Sequence, residues 1–159
     1  MKKNEDIPAI LDCNVWIQVL LNNSVILQEK IIRCQYPIII TSYGVVEILR
    51  VLKRFSSRYG KQYAELERDF WDICNLDSLQ KEFQAPISEK LVEEIKRAPE
   101  YRLISDALSI EIKDAPYVVA AYQFKSLLVT KDARTLISKR DELKKRLGLR
   151  ILTLEEFMQ

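Results

Sequence analysis

Short apolar runs without a polar break alternate with longer amphipathic segments, and that alternation constrains the fold of this chain more than any other feature. Ile7 to Leu11, Pro37 to Thr41, Ser126 to Thr130 and Arg150 to Thr153 read as strands. The unbroken Ile38-Ile39-Ile40 run is typical of a parallel sheet covered on both faces. Strands that alternate with helices predict an α/β fold, a three-layer sandwich around a mainly parallel sheet of about five strands.

Between these runs the apolar residues recur at helical spacing. A helix opens after Asp12, with Asn14 as its N-cap and Val15-Trp16-Ile17 and Val19-Leu20-Leu21 as its apolar body. A second is expected from Val25 to Cys34. A long one runs from Tyr43 to Arg58, with Val45, Ile48, Leu49, Leu52 and Phe55 on one face and Glu47 off that face in its first turn. Gly60 ends it, and another starts near Lys61, so that 43–80 reads as a helical hairpin. Phe83 to Pro86 is expected as a short extended edge. Ser88 caps a helix that stops before Pro99, and Arg102 to Lys113 fits neither period. Asp114-Ala115-Pro116 opens the next helix, Ala133 to Arg146 forms a basic one stopped by Gly148, and Glu155 to Met158 adds a last turn.

A length of 159 residues with ordinary apolar and charged content predicts a single domain over 1–159. The net charge is only +2, so composition does not announce a nucleic-acid binder. Cys13, Cys34 and Cys74 form no Cys-x-x-Cys pair and read as small core residues in a reducing cytoplasm. The start is too polar for a signal peptide, and no run of about 18 apolar residues offers a membrane span. The chain contains 0 histidines. That removes Ser-His-Asp and Cys-His catalysis, His-ligated zinc and any histidine base, so an enzyme of this composition would work through carboxylates, a metal, Lys or Tyr.

Four acids stand where such work would be done. Asp12 ends the first strand and Asp132 follows the Ser126–Thr130 strand, while Asp114 and Glu47 sit at helix starts. In an open parallel sheet these positions share the rim where ligands bind. Each acid also has a structural alternative. Asp114 and Asp132 read equally as N-caps. Glu47 suits a helix dipole or a pair with Arg50 or Arg54. Asp12 is hardest to explain this way, with Asn14 better placed as the cap. Four carboxylates gathered together would need a hard cation such as Mg²⁺ or Mn²⁺.

Four segments give the chain a family resemblance. Ile10-Leu11-Asp12-Cys13-Asn14-Val15, Thr41-Ser42 through Glu47-Ile48-Leu49, Asp114 with Val118-Val119-Ala120-Ala121, and Leu128-Val129-Thr130-Lys131-Asp132 resemble, in order, the motifs of PIN domains. The likeness is to the VapC-like toxin ribonucleases of toxin–antitoxin pairs and spans residues 8–158. The chain departs from the pattern before Asp114, where Glu111-Ile112-Lys113 takes the place of a second nearby acid.

The resemblance implies Mg²⁺- or Mn²⁺-dependent cleavage of single-stranded RNA in the cytoplasm, with Asp12, Asp114, Asp132 and Glu47 as catalytic and metal-binding residues. In such a mechanism Asn14 and Thr130 would steady the carboxylates; RNA contacts are expected from Lys131 and Arg134, close to Asp132, and from Arg50 and Arg54 along one helix, although each of these also reads as part of a solvated helix face. It also implies a cognate antitoxin protein and a homodimer, for which the helix around Trp16 and the hairpin are candidate surfaces, although both also read as core. One rival is a catalytically weak PIN-like module that binds RNA or protein. Another is a receiver-type phosphoacceptor, for which the paired early acids are missing.

Overall fold

The structure is a computed structural model that describes residues 7–21, 28–29, 37–83, 85–131 and 134–159. The apolar runs become β1 (Ala9–Leu11), β2 (Ile38–Thr41), β4 (Leu127–Thr130) and β5 (Ile151–Thr153), and a further strand, β3, spans Leu79–Glu82. They form one all-parallel sheet in the order β3-β2-β1-β4-β5. Ile10 aligns with Ile39 on one side and with Leu128 on the other. β1, β2 and β4 lie inside the sheet and are apolar on both faces, which is why their sequences are unbroken.

The order has a functional consequence. From β1 the chain runs outward to β2 and β3, then returns to lay β4 against the other side of β1. The connections therefore diverge between β1 and β4, which leaves a crevice beyond the carboxyl ends of those two strands.

Helices flank the sheet. α1 (Cys13–Leu21), α2 (Ser42–Phe55) and α3 (Tyr63–Cys74) pack on one another. Trp16 of α1 is fully buried and meets Phe70 of α3 edge to face, at 5.4 Å between ring centroids. Trp16 is therefore core and offers no surface for a second copy. Thr41 caps α2 by accepting from the Gly44 N–H at 3.1 Å. A side chain at Gly44 would meet Ile40 and the Thr41 oxygen at 3.3 Å, so the absent Cβ allows α2 to start against its own strand. α4 (Leu91–Arg97), α5 (Pro99–Leu108) and α6 (Ala115–Gln123) follow one another, then α7 (Arg140–Leu147) and α8 (Leu154–Met158).

Several elements differ from the sequence expectation. The edge strand precedes Phe83 rather than including it. Pro99 starts α5, occupying its first turn, where its missing N–H costs nothing. The basic helix begins at Arg140, and residues 134–139 form turns. Glu47 lies in the second turn of α2, beyond reach of the helix start, so the dipole does not account for it. α1 begins at Cys13, which puts Asp12, not Asn14, at its cap. The helix expected over 25–34 lies mostly outside the described residues, as does Cys34. Among the described residues no helix is long and apolar enough to cross a membrane.

Phe70 contacts both Trp16 and Trp71. Phe70→Ala is expected to lower unfolding free energy by about 3–5 kcal/mol in denaturant titrations. Leu103→Ala, at a side chain 69% exposed on α5, is expected to stay within about 0.5 kcal/mol of wild type.

Candidate active site

The crevice beyond β1 and β4 is a cleft of about 530 Å³ whose lining includes Asp12, Glu47 and Asp114. Each acid reaches it by a different route. Asp12 is the residue after β1, and its N–H continues the ladder by donating to the Val129 carbonyl at 2.9 Å. Its own carbonyl accepts from Val15 and Trp16, so the strand turns directly into α1. Glu47 comes up one turn inside α2. Asp114 is the residue before α6, delivered by the loop from α5.

Asp12 is 5% exposed and Asp114 is 3% exposed. Buried carboxylates need partners. The Asp12 Oδ1 accepts from the Cys13 N–H at 2.7 Å, and its Oδ2 accepts from the Thr130 hydroxyl at 2.8 Å. Thr130 closes β4, so this bond spans the gap between the two strands that border the crevice. Asp114 Oδ2 accepts from the Thr135 hydroxyl at 2.9 Å. Asp114 stands at the N-cap position of α6, yet among the described residues its side chain makes no capping bond. The capping alternative for this acid therefore has no support, and its carboxylate is turned toward the cleft and Thr135.

Glu47 is held by two phenols. Tyr43 donates to its Oε2 at 2.7 Å and Tyr117 to its Oε1 at 2.8 Å. The two rings meet edge to face at 5.5 Å, and both are buried. Burial and the Glu47 charge push both hydroxyls well above the usual phenol range, so they remain protonated donors. Burial, then Glu47 and Asp12, does the same to the Cys13 thiol. Cys13 is thus a neutral thiol rather than an activated nucleophile.

The other expected site residues divide. Arg50, Arg54 and Lys131 line the cleft with Lys96 and Lys113. Arg50 pairs with Glu93 at 2.8 Å, not with Glu47. Lys131 donates from Nζ to Gln18 at 2.8 Å, and its backbone N–H donates to the Asn14 Oδ1 at 3.2 Å. Asn14 therefore ties α1 to the end of β4 and does not touch a carboxylate through that oxygen. Arg134 is exposed in the turns before α7 and is not among the residues that line the cleft. Asp132 lies outside the described residues.

Among the described residues no three His, Cys, Asp or Glu side chains stand as a group around one point. The donor set itself is all carboxylate oxygen on one cleft, which suits a hard cation of the Mg²⁺ or Mn²⁺ type. Tyr43, Tyr117 and Thr135 were not singled out as partners of these acids from the sequence. Tyr43 stands four residues before Glu47 on one helix and was legible by that spacing. Tyr117 and Thr135 were not, because tertiary packing brings them in. The chain matches no protein-family model and no curated protein.

Burial, with the charge of Asp114 next and Glu47 also contributing, raises the Asp12 carboxyl to about 7, against the Thr130 and Cys13 hydrogen bonds that lower it. The folded chain therefore holds this proton over a range where the unfolded chain has released it. Stability without metal falls as pH rises from the ordinary carboxylate range through about 7. In EDTA, Asp12→Asn is expected to flatten that decline and to unfold later than wild type at pH above about 8, by on the order of a few kcal/mol. A steeper decline in the variant would contradict the assignment.

Proposed function

We propose that the protein is a divalent-metal-dependent ribonuclease that hydrolyses phosphodiester bonds of single-stranded RNA. The observation that carries this is the convergence of Asp12, Glu47 and Asp114 on one cleft at the point where the sheet connections diverge. Cations on the same walls, Arg50, Arg54, Lys96, Lys113 and Lys131, supply the complement for a phosphate backbone. The motif order described above supports the same activity and adds a toxin of a toxin–antitoxin pair as the biological setting. A cognate antitoxin, a homodimer and a cytoplasmic site of action belong to that proposal.

Asp12 and Asp114 would hold Mg²⁺ or Mn²⁺. Bound there, the ion would acidify water and neutralise charge growing on the phosphate oxygens. Thr130 and Thr135 fix one oxygen of each of these carboxylates and so set their orientation. Glu47, its oxygens aligned by Tyr43 and Tyr117, would orient the attacking water and accept its proton. The surrounding cations would bind the strand on both sides of the reacting phosphate.

A second function, RNA or protein binding without hydrolysis, is favoured by one observation, that the described acids do not form a ready three-ligand group. A cleavage assay on a broad panel of single-stranded RNAs separates the two. Wild type is expected to cut with Mg²⁺ or Mn²⁺ and to stop in EDTA, and Asp114→Asn is expected to lose about 100-fold in rate. Cutting that persists in EDTA contradicts the metal-dependent enzyme, and the absence of cutting by wild type favours the binding module.

A further inference from the structure

We propose that Tyr59 is a base-stacking residue that gives the cleft a preference for a purine, with Arg54 of the same cleft receiving a neighbouring phosphate. This rests on the ribonuclease function proposed above. Large apolar side chains exposed among the described residues are Tyr59, Phe83, Ile87, Leu103 and Tyr122, and of these Tyr59 lines the cleft that holds Asp12, Glu47 and Asp114. It is 48% exposed, so its ring is not committed to the core.

The backbone beneath it is fixed. The Tyr59 N–H donates to the Phe55 carbonyl at 3.2 Å, and the Lys61 N–H donates to the Ser56 carbonyl at 3.0 Å. Gly60 supplies the left-handed φ of +65° that this turn needs. The Lys61 ammonium donates to the Leu20 carbonyl at 3.3 Å and so ties the turn to the end of α1. An aromatic ring on a fixed turn at the edge of a charged cleft is a platform that loses little freedom when a base lies on it.

Arg54 completes the subsite. It lines the same cleft, and among the described residues it makes no hydrogen bond or ion pair, whereas Arg50 one turn earlier is paired with Glu93 at 2.8 Å. A cation and an exposed ring lining one cleft match the alternation of phosphate and base along a single strand. Bases stacked inside a duplex are not available to such a ring, so the subsite selects unpaired RNA. The larger face of a purine covers more of the phenol ring than a pyrimidine does.

The test uses the full chain as wild type, Tyr59→Ala, Tyr59→Phe and Tyr59→Trp. Binding of fluorescent oligoadenylate and oligouridylate is measured in EDTA, and cut sites on mixed RNA are mapped in Mg²⁺. Tyr59→Ala is expected to weaken oligoadenylate binding by about tenfold, to weaken oligouridylate less, and to flatten any purine preference at one position beside the cut. Tyr59→Phe and Tyr59→Trp are expected to keep wild-type binding, since the ring face and not the hydroxyl carries the contact. Wild-type binding and cut sites in Tyr59→Ala would overturn the stacking role and leave the ribonuclease standing. Equal loss in Tyr59→Ala and Tyr59→Phe would also overturn it. Ring-dependent binding by a wild type that cuts nothing would overturn the ribonuclease and leave the stacking role. A wild type that binds neither oligomer, or binds both equally, would overturn the purine-stacking role.

Discussion

The hydrogen bond from Thr130 to Asp12 is the contact on which the site depends. It joins the residue after β1 to the last residue of β4, two strands that are 118 positions apart in sequence. Asp12 also turns the chain from strand to helix through its carbonyl. One residue thus closes a strand, opens a helix and places a charge in the crevice. The position is exacting because the charge is buried, and a buried carboxylate is tolerated only where donors meet its oxygens. The Cys13 N–H and the Thr130 hydroxyl do so, and they oppose a rise in its pKa that burial and two neighbouring acids impose.

Charge is organised around that point in shells. The interior of the cleft is carboxylate, each with its own hydroxyl partner: Thr130 for Asp12, Thr135 for Asp114, and two tyrosines for Glu47. The walls carry cations that are engaged to different degrees. Lys131 is tied to Gln18 and Arg50 to Glu93, while Arg54 is uncommitted among the described residues. Hydroxyl donors fix the orientation of each acid, and a cleft of oriented carboxylates attracts a cation and, through it, phosphate.

Much of this was legible in the chain because burial on both faces leaves an unbroken apolar run. That is why β1, β2 and β4 fall within a residue or two of Ile7–Leu11, Pro37–Thr41 and Ser126–Thr130; β5, at the other edge, was legible from Ile151-Leu152 before the Thr153 cap. β3 was not legible: Leu79-Gln80-Lys81-Glu82 sits at the sheet edge with only Leu79 fully buried, so neither face leaves a pattern. α5 was hidden for a similar reason, since Leu108 is its one buried residue and Pro99 looked like a stop. Asp12 could be picked out because an acid at the end of an apolar run has few structural uses. The phenols around Glu47 could not, because a tyrosine in an apolar helix reads as packing until the fold brings an acid to its hydroxyl.

The direct measurement is anomalous scattering from crystals soaked in Mn²⁺. The expected result is a peak bonded to Asp12 and Asp114 where β1 ends and α6 begins, with Glu47 still held by Tyr43 and Tyr117. Mn²⁺ bound only elsewhere on the protein, or absent from this cleft at saturating concentration, would contradict a metal-dependent site built on these acids.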